Sequence, residues 1–260
     1  METLATIPLP LLYVIAAAFG LVFGSFVTAL SYRLPRGKSI ADGRSRCSSC
    51  KRALTVRDLI PVFSWIFHKG ACRQCGARIS WRYPAIELVT ATLFVLAIVF
   101  VNDPVHLGLL LLMTPVMMVL VVIDMEHKRL PNSLVLVLAV SAVAWRWFGD
   151  KDVLMAFGVA ALVLAFGILV DAAYKALRGQ SGLGLGDAKL LAVGALALPI
   201  GPFLVFMTLT GMLGVVFGAF WQRVMRARSF PFGPAILASF WVCLASGAAI
   251  LNGLVSLLSG

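Results

Sequence analysis

Residues 109–124 read Leu109-Leu110-Leu111-Leu112-Met113-Thr114-Pro115-Val116-Met117-Met118-Val119-Leu120-Val121-Val122-Ile123-Asp124. This is the end of an apolar run over 105–123 that carries no charge and closes on an acid. About 20 apolar residues span a bilayer. The run shows no strand alternation, and an open segment in lipid must satisfy its own backbone, so a membrane helix is expected. Similar runs occupy 9–30, 85–101, 153–170, 203–220 and 235–258, with shorter ones at 134–148 and 190–200. The short runs must tilt, borrow flanking residues or line a protein interior. The expectation is an all-α polytopic membrane protein with about eight transmembrane helices, seven being the alternative.

Composition agrees. The chain is 61% hydrophobic and 13% charged, with mean hydropathy +0.98. Soluble domains are about a quarter charged. The first run is no cleavable signal peptide: residues 1–10 hold no Lys or Arg, and the stretch is too long for a signal core. With eight spans, the segments 31–84, 124–133, 171–189 and 221–234 hold 12, 2, 3 and 3 of the 22 Lys and Arg residues. Only Arg146 and Lys151 fall on the other side. Basic residues stay in the cytoplasm. The N-terminus is therefore expected outside, in the periplasm, and residue 33 onward inside. The formal net charge of +11 is then mainly a topology signal. Residues 31–84 carry only two acids, Asp42 and Asp58, and suit anionic lipid headgroups. Without interleaved stacking aromatics they do not suit nucleic acid.

The expected organisation is a first transmembrane helix in 1–32, a cytoplasmic insert in 33–83 and a transmembrane core in 84–260. The insert holds Cys47-Ser-Ser-Cys50, then 21 residues, then Cys72-Arg-Gln-Cys75. Two such pairs match a tetrahedral four-cysteine zinc site. Two disulfides are the alternative, disfavoured in a reducing cytoplasm. Four thiolates leave no open position, so the metal is structural, and about 50 residues have too little core to fold unaided. His68 is read as a surface residue and Cys243, alone in the last run, as a small core residue. Trp81 and Tyr83 suit the membrane interface. Glu87 either snorkels or pairs with an arginine, or faces the same cavity as the aspartates discussed next.

An acid at lipid depth costs roughly 2.5–3.5 kcal/mol, so Asp124 and Asp187 ask for a reason. Asp124 ends one apolar run and Asp187 precedes another, at the same expected membrane face. Taken singly, Asp187 could cap a helix and Asp124 could pair with Lys128. Gly182, Gly184 and Gly186 alternate before Asp187, allowing close backbone approach or positive φ, and such a segment could receive an extended peptide. Without a βαβ context this glycine string is no nucleotide loop. Two close carboxylates share a proton, so one acts as base and the other as acid on water and a peptide. Helix dipoles suggest Asp187 as base, at a helix N-terminus, and Asp124 as acid, toward a C-terminus. Asp171 is expected to pair with Lys175.

These residues resemble the type IV prepilin peptidase family over nearly the whole chain. The resemblance rests on Gly24-Ser25-Phe26, Arg33-Leu34-Pro35, the tetracysteine insert with Asp58-Leu59-Ile60-Pro61 and Ser64-Trp65 inside it, and Arg82-Tyr83-Pro84 with Glu87-Leu88. It continues in Ile123-Asp124 with Leu130-Pro131, in Gly184-Leu185-Gly186-Asp187-Ala188-Lys189-Leu190, and in Phe232-Gly233-Pro234. The usual Leu-Pro-Asp reads Leu130-Pro131-Asn132, which leaves the aspartate pair intact. The resemblance implies a bacterial inner-membrane aspartic endopeptidase with Asp124 and Asp187 catalytic. It implies removal of short basic leaders from prepilins and pseudopilins after glycine, at the cytoplasmic face, in service of pili, secretion or DNA uptake. It further implies N-methylation of the new N-terminus with S-adenosylmethionine, at residues the motifs do not identify. The leader and the insert are both basic, so the insert's positive face is expected to meet lipid. Two rivals remain at this point. One is another intramembrane aspartic protease sharing Gly-x-Gly-Asp, which the tetracysteine insert disfavours. The other is a proton-coupled transporter, which two acids at one face and no inverted repeat disfavour.

Overall fold

The computed structural model describes residues 8–38, 43–179, 182–226 and 229–259. The N-terminal residues whose side of the membrane was inferred above, and Asp42, lie outside these. Helices account for every apolar run, and among the described residues the only pairing of strand type is two isolated bridges. Among the described residues, five helices are long and apolar enough to cross a membrane. Contacts divide the chain into two compact units, Met1–Asn102 and Asp103–Gly260.

In the first unit, α1 (Leu9–Arg33) packs along α3 (Arg82–Phe100), and the insert lies between them in sequence with one short helix, α2 (Phe63–Phe67). The α1–α3 seam is set by two glycines one turn apart. A Cβ on Gly20 would lie 2.5 Å from the Ala91 Cα, and one on Gly24 would lie 2.6 Å from the Glu87 Cα. Small residues four apart let helix backbones touch where hydrophobicity gives no drive. α1 ends through a 3₁₀ turn, Leu34–Arg36, and a left-handed Gly37.

The second unit holds α4 (Pro104–His127), α5 (Asn132–Phe148), α6 (Val153–Arg178), α7 (Leu185–Ala197), α8 (Ile200–Met225) and α9 (Gly233–Ser259). α7 is the buried element: every residue from Leu190 to Ala197 is buried, and α5, α6, α8 and α9 all contact it. α4 packs on α5 and α9, and α8 on α9. Asp103 starts α4 by accepting the His106 N–H at 2.8 Å. Within α4, the Trp241 indole of α9 donates to the buried Thr114 hydroxyl at 3.0 Å.

The run at 190–200 differs from its sequence expectation. Its helix starts earlier, at Leu185, and stops at Ala197, while Ile200 already belongs to α8. Pro199 explains the break: it donates no N–H and drives the preceding Leu198 to φ −99°, ψ 131°. α7 is therefore too short to span alone and lives inside the bundle.

Replacing Gly24 with Leu should force α1 from α3. Overpacking of this kind costs typically 1–3 kcal/mol, and the expected drop in thermal stability is checked by unfolding in detergent. Val22→Leu, on an exposed face of α1, should change stability by less than about 0.5 kcal/mol.

Candidate active site

Asp124 sits in the last turn of α4 and is buried, at 5% exposure. The helix continues to His127 and is stopped by Lys128, which adopts the left-handed conformation at φ 51° and returns its N–H to the Asp124 carbonyl at 2.8 Å. The Lys128 ammonium turns to Ser229, donating to its carbonyl at 3.0 Å and its hydroxyl at 2.6 Å. It thus clips α4 to the segment before α9 instead of forming an ion pair with Asp124.

That segment delivers a partner to Asp124. The Gly233 N–H, at the first residue of α9, donates to Asp124 Oδ2 at 3.0 Å. The approach needs glycine, since a Cβ there would lie 2.7 Å from the same oxygen. Phe230 and Phe232 hold the segment in place: they pack edge to face, 6.2 Å apart, against Gly218 and Gly214 of α8. Sequence reasoning singled out Phe232-Gly233-Pro234 without seeing this contact. The signal available was a glycine before a proline at a helix start.

Asp187 lies in the first turn of α7, three residues inside its Gly184 cap. It is therefore not the cap residue. Its carboxylate folds back over Gly184, whose N–H bonds it, and a Cβ on Gly184 would lie 3.1 Å from Oδ2. Gly186 admits Leu130 instead: a Cβ would lie 2.9 Å from the Leu130 Cδ1. Close approach, not left-handed backbone, is what Gly182, Gly184 and Gly186 provide; the positive φ nearby, 69°, belongs to Gly179. The fold brings Asp124 near enough to Asp187 that its charge acts on the Asp187 carboxyl.

The dipole argument for separating their roles does not survive. Asp187 meets the N-terminus of α7, as expected, but Asp124 meets the N-terminus of α9 while α4 runs past it. Both carboxylates face positive helix ends, so dipoles do not distinguish base from acid.

Two further residues, Asn132 and Asp171, frame the pair. Asn132, in the place usually held by an aspartate, accepts from the Lys189 ammonium at 2.8 Å and so ties the start of α5 to α7. Asp171 pairs with Lys175 at 2.6 Å, as expected from spacing. Its second oxygen accepts the Gly182 N–H at 3.2 Å, which anchors the glycine segment to α6.

In the first unit, the four cysteines form one cluster with all ligand atoms within 4.8 Å. The two knuckles are built alike. Cys47 receives N–H groups from Cys50 and Ser49, and Cys72 from Cys75 and Gln74, so both thiols are pulled below their usual range, Cys72 to about 6. The next residue is left-handed in each, Lys51 at φ 60° and Gly76 at φ 66°. Matching bridges, Arg46 with Ala53 and Ala71 with Arg78, close the two loops. The Cys75 thiol receives the Ala77 N–H, yet burial and the three neighbouring sulfurs push it up to about 11. Such crowding calls for a cation. The Cys47–Cys75 sulfur separation of 3.9 Å fits one, since tetrahedral Zn–S bonds of about 2.3 Å put sulfurs about 3.8 Å apart. Asp58 braces both knuckles, with Arg52 at 3.0 Å and Arg73 at 3.8 Å. The Thr55 N–H first, then its hydroxyl and Arg52, hold the Asp58 carboxyl down at about 2. His68 is not part of the cluster, and Cys243 is buried in α9.

Glu87 is buried at 7% exposure, where its carboxylate accepts the Val62 N–H of the insert at 2.7 Å.

Comparison with known proteins agrees with this arrangement. Residues 18–101 match the bacterial peptidase A24 N-terminal domain, and residues 111–219 match the type IV leader peptidase family. A prepilin leader peptidase/N-methyltransferase of Bacillus subtilis (strain 168) is 32% identical over 93% of this chain and 97% of its own. Proteins of the same name from Dichelobacter nodosus and Neisseria gonorrhoeae are 34% and 32% identical, over 79% and 88% of this chain and 72% and 88% of theirs. No solved structure matches the chain. A likeness of this order over nearly the whole chain decides the matter: this integral membrane protein belongs to the type IV prepilin leader peptidase family.

Proposed function

We propose that this protein is an aspartic endopeptidase of the bacterial inner membrane. It cuts the basic leader from prepilins or pseudopilins after glycine, and it methylates the new N-terminus. One observation carries the peptidase reading: Asp124 and Asp187 converge from distant positions, each accepting a backbone N–H at a helix start that only glycine can line so closely.

The chemistry follows from two like charges sharing one proton. The ionised carboxylate takes a proton from a water between the pair. The water oxygen attacks the scissile carbonyl carbon while the protonated carboxyl hydrogen-bonds the carbonyl oxygen. Proton return to the amine nitrogen lets the C–N bond break, leaving a leader carboxylate and a free pilin amine. Gly184 and Gly186 give the site its backbone support: Gly184 seats the Asp187 carboxylate, and Gly186 lets Leu130 pack against the start of α7. The distribution of Lys and Arg supports a site at the cytoplasmic face and an N-terminus in the periplasm. The leader's positive charge is drawn to the carboxylate pair, while the insert's basic face meets anionic headgroups.

The metal of Cys47, Cys50, Cys72 and Cys75 is zinc, and its role is structural. Four thiolates leave no site for water, and backbone N–H groups stabilise two of them in advance. S-adenosylmethionine, the donor that the second activity implies, would supply an electrophilic methyl group.

Asp124→Asn and Asp187→Asn should each lower cleavage of a prepilin by at least about 10²–10⁴-fold, the usual worth of a positioned acid or base, with folding intact. Cleavage by purified protein in lipid is the assay; undiminished activity in either removes that residue from the mechanism. Gly233→Ala should push the Asp124 carboxylate aside and cost about 10²-fold in kcat, as expected for misplacement of about 1 Å. Metal analysis should find one zinc per chain, lost in a Cys47→Ser, Cys72→Ser variant and retained in Cys243→Ser. A chelator should expose the insert to protease without altering the second unit's helices.

A further inference from the structure

The insert carries an apolar face that neither the hydrolysis nor the metal accounts for. α2 reads Phe63-Ser64-Trp65-Ile66-Phe67, and its two sides differ. Trp65 turns inward: its indole N–H donates to the Ile79 carbonyl at 3.0 Å, and its ring occupies the space that a Cβ on Gly70 would need. Phe63, Ile66 and Phe67, spaced i, i+3 and i+4, share the other side and are 54%, 58% and 77% exposed. The 3₁₀ turn Val56–Leu59 touches α2, and Val56, Leu59 and Ile60 are exposed as well. Single apolar residues on a surface need no explanation, but six of them within residues 56–67 mark a contact surface.

Glu87 sets the depth of this surface. Its carboxylate accepts the N–H of Val62, the residue just before α2, at 2.7 Å. Glu87 lies five residues into α3 and within the apolar run that begins at 85. A helix rises 1.5 Å per residue, so Glu87 is about 7.5 Å along α3 from Arg82. Val62 is held at φ 60°, which β-branched residues avoid and which persists only where the surroundings impose it. The start of α2 is thus pinned beside the second turn of a helix long and apolar enough to cross the membrane, not beyond its end. Interfacial helices bury their apolar faces about 5–10 Å into the boundary of headgroups and chains, which is this depth. Trp81 and Tyr83, exposed at the same end of α3, suit the same layer. The charges agree. Arg57 and Lys69 flank the apolar face and are exposed. Among the described residues of the insert the one acid, Asp58, is engaged by Arg52 and Arg73.

We propose that α2 and the turn before it form a wedge seated in the bilayer interface where α3 enters, with Phe63, Ile66 and Phe67 among the acyl chains and Arg57 and Lys69 on anionic headgroups. This goes beyond the headgroup contact of the insert's basic face, which needs no apolar anchor. The insert is tied to the membrane at its two ends by α1 and α3. The wedge is a third point of attachment, and three points stop the insert from swinging about the other two. Glu87 acts as the positioning residue of the wedge: it holds the Val62 backbone at the depth where the apolar face meets chains rather than water.

The test is photocrosslinking of the full-length, zinc-loaded protein in nanodiscs of equal parts phosphatidylglycerol and phosphatidylcholine. Benzoylphenylalanine, a photoreactive residue that keeps the phenyl ring of phenylalanine, replaces Phe67 in one sample and Gln74, exposed on the second cysteine knuckle, in another. Zinc content equal to that of the unsubstituted protein reports an intact insert in both. Mass spectrometry then identifies what each position has captured. Lipid adducts at position 67 should exceed those at position 74 by about tenfold, as expected of a side chain among acyl chains against one in water. Among the adducts at position 67, phosphatidylglycerol should outnumber phosphatidylcholine by about fivefold, the worth of one basic residue at a charged surface. Lipid yields at position 67 no higher than at position 74 overturn the wedge. Crosslinks from position 67 to residues 103–260 or to a second copy of the chain overturn it too, since the apolar face is then a protein contact. Equal capture of the two lipids overturns the anionic partner assigned to Arg57 and Lys69.

Discussion

The hydrogen bond from the Gly233 N–H to the Asp124 carboxylate is the contact on which the second unit's architecture turns. A buried carboxylate in an apolar bundle is costly unless donors meet it. Here the donor is a helix start, and everything around it serves to bring that start to the right place. Lys128 turns α4 out of its helix and reaches to Ser229. Phe230 and Phe232 seat against two glycines of α8. Gly233 then offers an N–H at 3.0 Å with no side chain to intervene. The same device recurs at Asp187, where Gly184 supplies the N–H and the bare backbone. Two acids, each held by a glycine at a helix N-terminus, make a symmetric solution to the problem of placing charge inside a membrane protein.

That symmetry explains what could and could not be read beforehand. Apolar runs and Lys/Arg distribution predicted helices because membrane burial constrains composition over 20 residues at a time. The tetracysteine cluster was legible because ligand spacing is a local property. The aspartates stood out because acids are rare in such runs. The partner of Asp124 was not legible, since it lies 109 residues away and acts through backbone, which no side-chain pattern reports. The dipole argument for dividing their roles lost its footing for the same reason: α4 was visible in the sequence near Asp124, but α9 was not. The 190–200 run was misplaced because Pro199 was read as part of an apolar stretch, when its missing N–H ends one helix and starts the next.

The insert and the bundle solve different physical problems. The insert is too small to hold a core, and its order comes from two matching cysteine knuckles braced by Asp58 against Arg52 and Arg73. The bundle is ordered around α7, which α5, α6, α8 and α9 all contact. Asp171 illustrates how a charge in the bundle can be structural: its ion pair with Lys175 leaves one oxygen for Gly182, so it steadies the loop that carries Asp187.

The central claim is that Asp124 and Asp187 act as one unit on a single water. A double-mutant cycle on cleavage tests it most directly, comparing Asp124→Asn, Asp187→Asn and the combined variant under single-turnover conditions. Residues that share one catalytic function are grossly non-additive, so the double variant should be no slower than the worse single variant. Losses that multiply would show two independent contributions and contradict the shared-proton pair.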